Sequence, residues 1–326
     1  MKPFHLEAKT ISDAWFQLLY KLFDNSYRQD VQAGSFEKEQ YRLQYPGVSI
    51  YIEYPDQDIV PTIPQGLGIP SPTTMEYIQD YFVNYLMDPT LAENETYKYA
   101  SRINEILPSK LGIYLYEKDG GLIGEPFLDS NQYLIKGDTQ LERVIEMLKK
   151  TPLTNQAVIE IAKPSDIATC YGNDGKLDPP CLRLIDFKVI PVRVALKSKY
   201  LESVRCTDSV PGTQGFYDYK CEKCNDRWVG TIKLPCRTCH PELYKDDKYL
   251  IEDVELTLTV SVYFRSWDLW AGLPTNLGGI ELLKQYVASE CGLVNGPMYA
   301  YSSGLHIYGY VEDYARIRTM RENYNG

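Results

Sequence analysis

The chain has 326 residues, 44% hydrophobic and 24% charged, which suits an ordinary globular protein of one large domain with an insertion, or of two domains. Its net charge of -10 excludes a sequence-independent grip on a nucleic-acid backbone through overall charge, so no nucleic-acid partner is expected beyond a local contact. No apolar run approaches the roughly 18 residues that a membrane span needs, and "MKPFHLEAKT" lacks the apolar core of a signal peptide; a cytoplasmic protein with no membrane partner is expected.

In chain order, "TISDAWFQLLYKLFDN" spaces Ile11, Trp15, Leu18, Leu19, Leu22 and Phe23 along one helical face, with Thr10 or Ser12 as the N-cap. "GVSIYIEYP" alternates as a strand closed by Pro55, and the Pro- and Gly-rich "PTIPQGLGIPSPTT" reads as a loop before a helix around Met75 to Leu86. "TQLERVIEMLKK" carries Leu141, Val144, Ile145 and Leu148 on one face and ends in lysines, which suit the negative end of a helix dipole. "AVIEIA", "LRLIDFKVI" and "VELTLTVSVYF" read as strands, and "NLGGIELLKQYVASECG" as a helix stopped by Gly292. Without regular βαβ alternation, these signals predict an α/β (α+β) fold, a mixed sheet with flanking helices.

The eight cysteines are informative through their spacing, because spaced thiols in a reducing compartment more often bind metal than form disulfides. Cys221 and Cys224 are separated from Cys236 and Cys239 by eleven residues. Four thiolates from two such knuckles close a tetrahedral zinc sphere, so a structural Zn²⁺ with no open position for a catalytic water is expected. The segment 206–247 around them is polar and rich in turns, and reads as a small zinc ribbon inserted into a larger domain built from 1–205 and 248–326.

Three further blocks follow one another: "LDPPCLRLIDF", "FRSWDLWAGLPTN" and "GLHIYGY". In this order they resemble the thymidylate synthase superfamily, whose members carry Pro-Cys before a strand, then Arg-Ser-x-Asp running into Gly-x-Pro-x-Asn, then His-x-Tyr. "AKTISDAWFQLLYKLFDN", "YKYASRI" and "TQLERVIEMLKK" with "AVIEIAKPSD" are similar to further segments of the shorter archaeal and phage-like branch. The resemblance spans nearly the whole chain outside the cysteine-rich insert.

This resemblance implies the thymidylate synthase fold, a homodimer, and one-carbon transfer from 5,10-methylenetetrahydrofolate to C5 of a deoxyuridine monophosphate. Cys181 is the implied nucleophile toward pyrimidine C6. A free cysteine titrates at about 8.5, so a neighbouring cation must activate it, and Arg265 is the matching position. The Arg265 fork also suits the nucleotide phosphate, which Ser266 would assist. Asn276 matches the residue that accepts from N3-H and donates to O4 of uracil, His306 and Tyr308 the pair on the sugar hydroxyl, Asp268 the carboxylate near the pterin, and Tyr99 the tyrosine associated with loss of the C5 proton.

The chain also departs from the pattern. Asn155 and Gln156 stand where the family has two phosphate-binding arginines supplied across the dimer, with Lys149, Lys150 and Lys163 nearby in sequence. The acidic residue expected on the helix around "MEYIQDYFVNYL" is Glu76 or Asp80. Thymidylate synthesis from dUMP is the first reading; 5-hydroxymethylation of dUMP or dCMP is the alternative, and a non-catalytic nucleotide-binding homologue, whose ribbon contacts a partner, is the third.

Overall fold

The computed structural model describes residues 3–31, 40–91, 93, 97–105, 115–116, 122–123, 138–170, 179–193, 216–221, 227–230 and 249–321. Its strands are β1 (Phe4–Ala8), β2 (Tyr27–Asp30), β3 (Tyr41–Gln44), β4 (Val48–Ile52), β5 (Leu115–Tyr116), β6 (Leu122–Ile123), β7 (Val158–Glu160), β8 (Leu182–Arg193), β9 (Phe216–Cys221), β10 (Arg227–Gly230), β11 (Tyr249–Phe264), β12 (Trp267–Asp268), β13 (Val294–Ser302) and β14 (Leu305–Tyr308). The helices are α1 (Ile11–Asn25), α2 (Met75–Tyr81), α3 (Tyr99–Ile103), α4 (Gln140–Lys150), α5 (Pro164–Cys170), α6 (Gly272–Cys291) and α7 (Glu312–Thr319).

The central sheet runs β1-β4-β13-β11-β8-β7. The pairs β1/β4 and β11/β13 are parallel, whereas β4/β13, β8/β11 and β7/β8 are antiparallel, so the sheet is mixed as expected. A smaller sheet, β12-β14-β3-β2, lies beside it. On β8 the residues Leu182, Ile185, Phe187 and Val189 are buried while Ile190 and Val192 are exposed; on β11, Leu258, Val260, Val262 and Phe264 face the core. One face of the sheet is thus covered by helices and the other is left partly open.

The helices form where the apolar spacing places them. The hydroxyl of Thr10 caps α1 by accepting from Asp13 N at 3.1 Å, and Ile11, Ala14, Trp15, Leu18, Leu19 and Leu22 are buried. Each leucine- or isoleucine-sized side chain among them contributes roughly 1.5–3 kcal/mol relative to exposure. The indole N–H of Trp15 donates to Trp270 O at 2.9 Å, tying α1 to the segment before α6. At α4, Thr139 and Glu142 form a reciprocal capping box. The expected helix over Met75 to Leu86 is α2 continued by a wider π-type turn at Phe82–Met87.

Helix α6 begins four residues earlier than its apolar pattern suggests, at Gly272, because Pro274 fits a first turn where no N–H partner is needed. It ends at Gly292 in the left-handed region, φ 65°. Gly278 and Gly279 let α2 approach α6: a Cβ on Gly278 would meet Ile78 Cγ2 at 2.9 Å, and one on Gly279 would meet Tyr81 Cδ1 at 2.5 Å.

The expected ribbon joins this scaffold through β9, which pairs antiparallel with the first residues of β11, Cys221 facing Tyr249 and Phe216 facing Val254. β10 pairs back on β9. Cys221 ends β9, while Cys224, Cys236 and Cys239 lie outside the described residues. Among the described residues no group of three or more His, Cys, Asp or Glu is arranged to hold a metal, and no helix is long and apolar enough to cross a membrane.

Candidate active site

Cys181 sits half-buried just before β8, where the Pro179-Pro180 pair ends in the sheet. The ladder between β8 and β11 brings Arg265 beside it: Arg265 N donates to Cys181 O at 2.9 Å. The guanidinium turns back on the same corner, donating from Nε to Pro180 O at 3.3 Å and from a terminal nitrogen to Pro179 O at 2.5 Å. Arg265 therefore holds the turn that presents the cysteine, in addition to placing positive charge beside it.

A register shift between Tyr263 and Phe264 interrupts the ladder here. The Leu182 N–H donates instead to the Tyr99 hydroxyl at 3.2 Å. Tyr99, from α3, is 6% exposed. Burial first, and then the charge of Cys181, push its hydroxyl well above the ordinary tyrosine range, so it stays protonated. Tyr85 meets the Tyr99 ring edge-on at 5.3 Å and stacks on Tyr81 at 5.3 Å, which builds an aromatic wall from α2 and the turn after it.

β12 and β14 run parallel, with Asp268 beside His306. Their close approach needs Gly304, where a Cβ would meet Arg265 O at 2.9 Å. Ser266 occupies the bend between Arg265 and β12, half-buried. Asp268 accepts from the backbone N–H groups of Trp270 at 3.2 Å, Ala271 at 2.9 Å and Gly272 at 2.8 Å, so it caps α6 and sits where the helix dipole favours negative charge.

His306 is buried, and its Nδ1 lies 2.8 Å from Gly304 O. A carbonyl can only accept, so Nδ1 carries the proton and Nε2 presents a lone pair. That Nε2 is enclosed and has no hydrogen-bond partner among the described residues. Burial, with Arg42 acting in the same sense against Gly304 and Asp268, lowers the His306 pKa and favours the neutral ring. Tyr308 packs edge-on to His306 at 4.8 Å and is pushed up to about 12 by burial and then by Asp268, with Cys181 also close enough to contribute.

Asn276 projects from the first turns of α6, and its Oδ1 accepts from Trp267 Nε1 at 2.9 Å. An indole N–H can only donate, so this contact fixes which end of the amide faces Trp267. Trp267 is itself held by parallel stacking on Phe264, 4.1 Å between centroids.

Arg265, Asn276, Asp268, His306, Tyr308 and Tyr99 are thus tied to Cys181 through a few short links, with Ser266 on the connecting bend. Glu76 and Asp80, the two acidic candidates, are both exposed on α2; Asp80 accepts from Asn84 Nδ2 at 2.6 Å. Asn155 and Gln156 are exposed, and Lys188 donates to Asn155 Oδ1 at 3.4 Å. Lys149, Lys150 and Lys163 are engaged with Glu290, Glu146 and Glu105. Arg42, which faces Tyr308 across the β3/β14 pair, escaped the sequence reading, as did Trp267 and Tyr81; only strand pairing and packing bring these residues to the site.

The family model for thymidylate synthase matches residues 231–325, the stretch that carries Arg265, Ser266, Asp268, Asn276, His306 and Tyr308. The chain is 37% identical over 67 residues to the thymidylate synthase of Symbiobacterium thermophilum, covering 21% of this chain and 24% of that relative. It is 33% identical over 86 residues to a putative thymidylate synthase of Methanococcoides burtonii, covering 25% of this chain and 36% of that relative. These matches thus span well under half of the curated relatives' length. The thermostable thymidylate synthase A from Bacillus subtilis superposes with a TM-score of 0.50 at 12% identity, covering 97% of this chain and 86% of that one. The thymidylate synthase fold therefore extends over the chain, including the half that holds Cys181 and Tyr99.

Proposed function

We propose that the protein transfers a one-carbon unit from 5,10-methylenetetrahydrofolate to C5 of dUMP, with Cys181 adding to C6 of the base, and releases thymidylate. The observation that carries this reading is the corner at Cys181. The thiol is held at the end of a buried strand by Arg265, with Tyr99 and Tyr308 close enough to be affected by its charge.

Each remaining residue has work that its geometry permits. Arg265 supports the thiolate and contributes positive charge to phosphate binding, with Ser266 assisting. The enclosed Nε2 of His306 accepts from a sugar hydroxyl, which would satisfy an otherwise unpaired buried acceptor, and Tyr308 assists. Asn276 reads the base edge. Tyr99 remains protonated beside the reacting carbons and helps to relay the C5 proton through water. Asp268 faces the pterin end of the folate, which supplies both the one-carbon unit and the hydride. The absence of the arginine pair at Asn155 and Gln156 implies weaker phosphate binding than the family pattern gives, since each hydrogen bond to a charged group contributes roughly 1.5–3 kcal/mol.

Incubation with dUMP, dCMP and methylenetetrahydrofolate, followed by mass analysis of both products, tests the reading. Thymidylate with dihydrofolate is the expected outcome. A hydroxymethylated nucleotide with tetrahydrofolate would move the assignment to the hydroxymethylase, and nucleotide binding without turnover would leave a binding homologue.

The partly open face of the central sheet, bordered by exposed Ile190, Val192 and Tyr301, suits a second copy of the chain. Cys221, Cys224, Cys236 and Cys239 have the donor chemistry for a structural Zn²⁺. Purified protein is expected to sediment at twice the chain mass and to contain one zinc per chain, lost when Cys221 and Cys236 are replaced. A metal-free monomer would refute both assignments.

A further inference from the structure

The α2 side of the site holds a polar group with no place in the scheme above. The ring of Tyr81 lines a small cleft of about 150 Å³ with Tyr77, Asp80, Asn84, Tyr85 and Lys98. Its hydroxyl is enclosed, and its proton meets no acceptor among the described residues. The Asn276 amide approaches this oxygen, and Tyr99 and Tyr85 are near enough for their charges to bear on it. A buried donor without an acceptor costs free energy, so its retention beside Asn276, the residue proposed to read the base, points to a ligand group that accepts its proton.

The identity of that group follows from counting donors. Trp267 Nε1 already occupies one lone pair of Asn276 Oδ1 at 2.9 Å, which turns the amide NH₂ toward the Tyr81 oxygen and leaves one of its two protons for a ligand. Burial holds the Tyr81 hydroxyl well above the ordinary tyrosine range, so it keeps its proton and can donate it. The base end of the site therefore presents two neighbouring donors. A carbonyl oxygen has two lone pairs and can meet both, whereas an exocyclic amino group would set donor against donor.

We propose that the Tyr81 hydroxyl is a second specificity-determining group, donating beside the Asn276 amide to the 4-oxo group of a uracil-type base and thereby rejecting 4-amino pyrimidines. The proposal rests on the pyrimidine-nucleotide reading of the site and deepens it. It also accounts for α2 turning a neutral hydroxyl to the site while Glu76 and Asp80 stay exposed on its surface.

Calorimetric binding of dUMP and dCMP to the full chain, wild type and Tyr81→Phe, tests it. Wild type should prefer dUMP by about tenfold or more, and Tyr81→Phe should lose about tenfold in dUMP affinity with dCMP affinity unchanged. An unchanged thermal midpoint would separate this result from a folding defect. A Tyr81→Phe protein with the wild-type dUMP-to-dCMP ratio would overturn the proposal alone, whereas a wild type that binds neither nucleotide would overturn the reading of the site and the proposal with it. Should Tyr81→Phe fail to fold, Asn276→Ala is compared on dUMP and on the deoxyribonucleotide of 2-pyrimidinone, which lacks the 4-oxo group. Any preference for dUMP remaining in Asn276→Ala belongs to Tyr81, and equal binding of the two ligands would overturn the proposal.

Discussion

Cys181→Ser is expected to abolish turnover of dUMP, by about 10³-fold or more, while nucleotide affinity stays at the wild-type level. The two observables separate because they depend on different atoms. A serine hydroxyl is a far weaker nucleophile than a thiolate near neutral pH. The groups proposed to bind the nucleotide, Arg265, Asn276 and His306, are untouched by the change. Equal loss of binding and turnover would mean that Cys181 only supports the corner at Pro179 and Pro180. Retained turnover would remove the covalent step from the proposed mechanism.

The second large effect lies in stability. Glu281 and Lys284, one turn apart on α6, are both fully buried with 3.0 Å between their charged atoms. Glu281 Oε1 accepts from Gln285 at 3.0 Å and from Asn295 at 2.8 Å, and Lys284 Nζ donates to Gly296 O. That carbonyl lies where the β11/β13 register shifts, between Leu258 and Val260, and where a ladder leaves a backbone group unpaired. Burial raises the Glu281 pKa and lowers that of Lys284, and each partner opposes the other's shift. Lys284→Met should cost about 3–5 kcal/mol in urea unfolding, because it strands a buried carboxylate and a buried carbonyl together. Glu281 then titrates higher still. A raised carboxyl contributes its stability below its unfolded value and loses it as pH rises through the folded one, so the deficit should be larger at neutral than at acidic pH. Glu281→Leu combined with Lys284→Met should recover most of the loss. A single variant as stable as wild type at both pH values would show that the pair is not held as described.

Long amphipathic segments were legible because their burial follows from spacing alone. α1 starts at Thr10, one of the two caps the sequence offered, α4 follows its expected apolar face, and the apolar runs became β4, β7, β8 and β11. The four-residue strands β2, β3 and β14 carry too few alternations to stand out, and their stability comes from pairing with one another. The blocks around Cys181, Arg265, Asn276 and His306 were found as ordered motifs. Tyr81 was not, because an inward tyrosine in "MEYIQDYFVNYL" has the same spacing as a core residue. Only its hydroxyl's surroundings set it apart. Glu76 and Asp80 were selected by charge, but charge is what keeps those positions in water on a short helix whose inner face is apolar or aromatic.

The Gly278-Gly279 pair divides responsibility within the site. Cys181 and Arg265 hang on the edge of β8 and β11, whereas Asn276 and Tyr81 meet across the α2/α6 contact that those two glycines permit. A side chain acquired at position 279 would press first on the Tyr81 ring and leave the sheet-borne corner where it is. On the proposed roles, reactivity and choice of base rest on separate parts of the scaffold. If those roles hold, a change at the α2/α6 contact alters the preferred base and leaves the turnover chemistry at Cys181 in place.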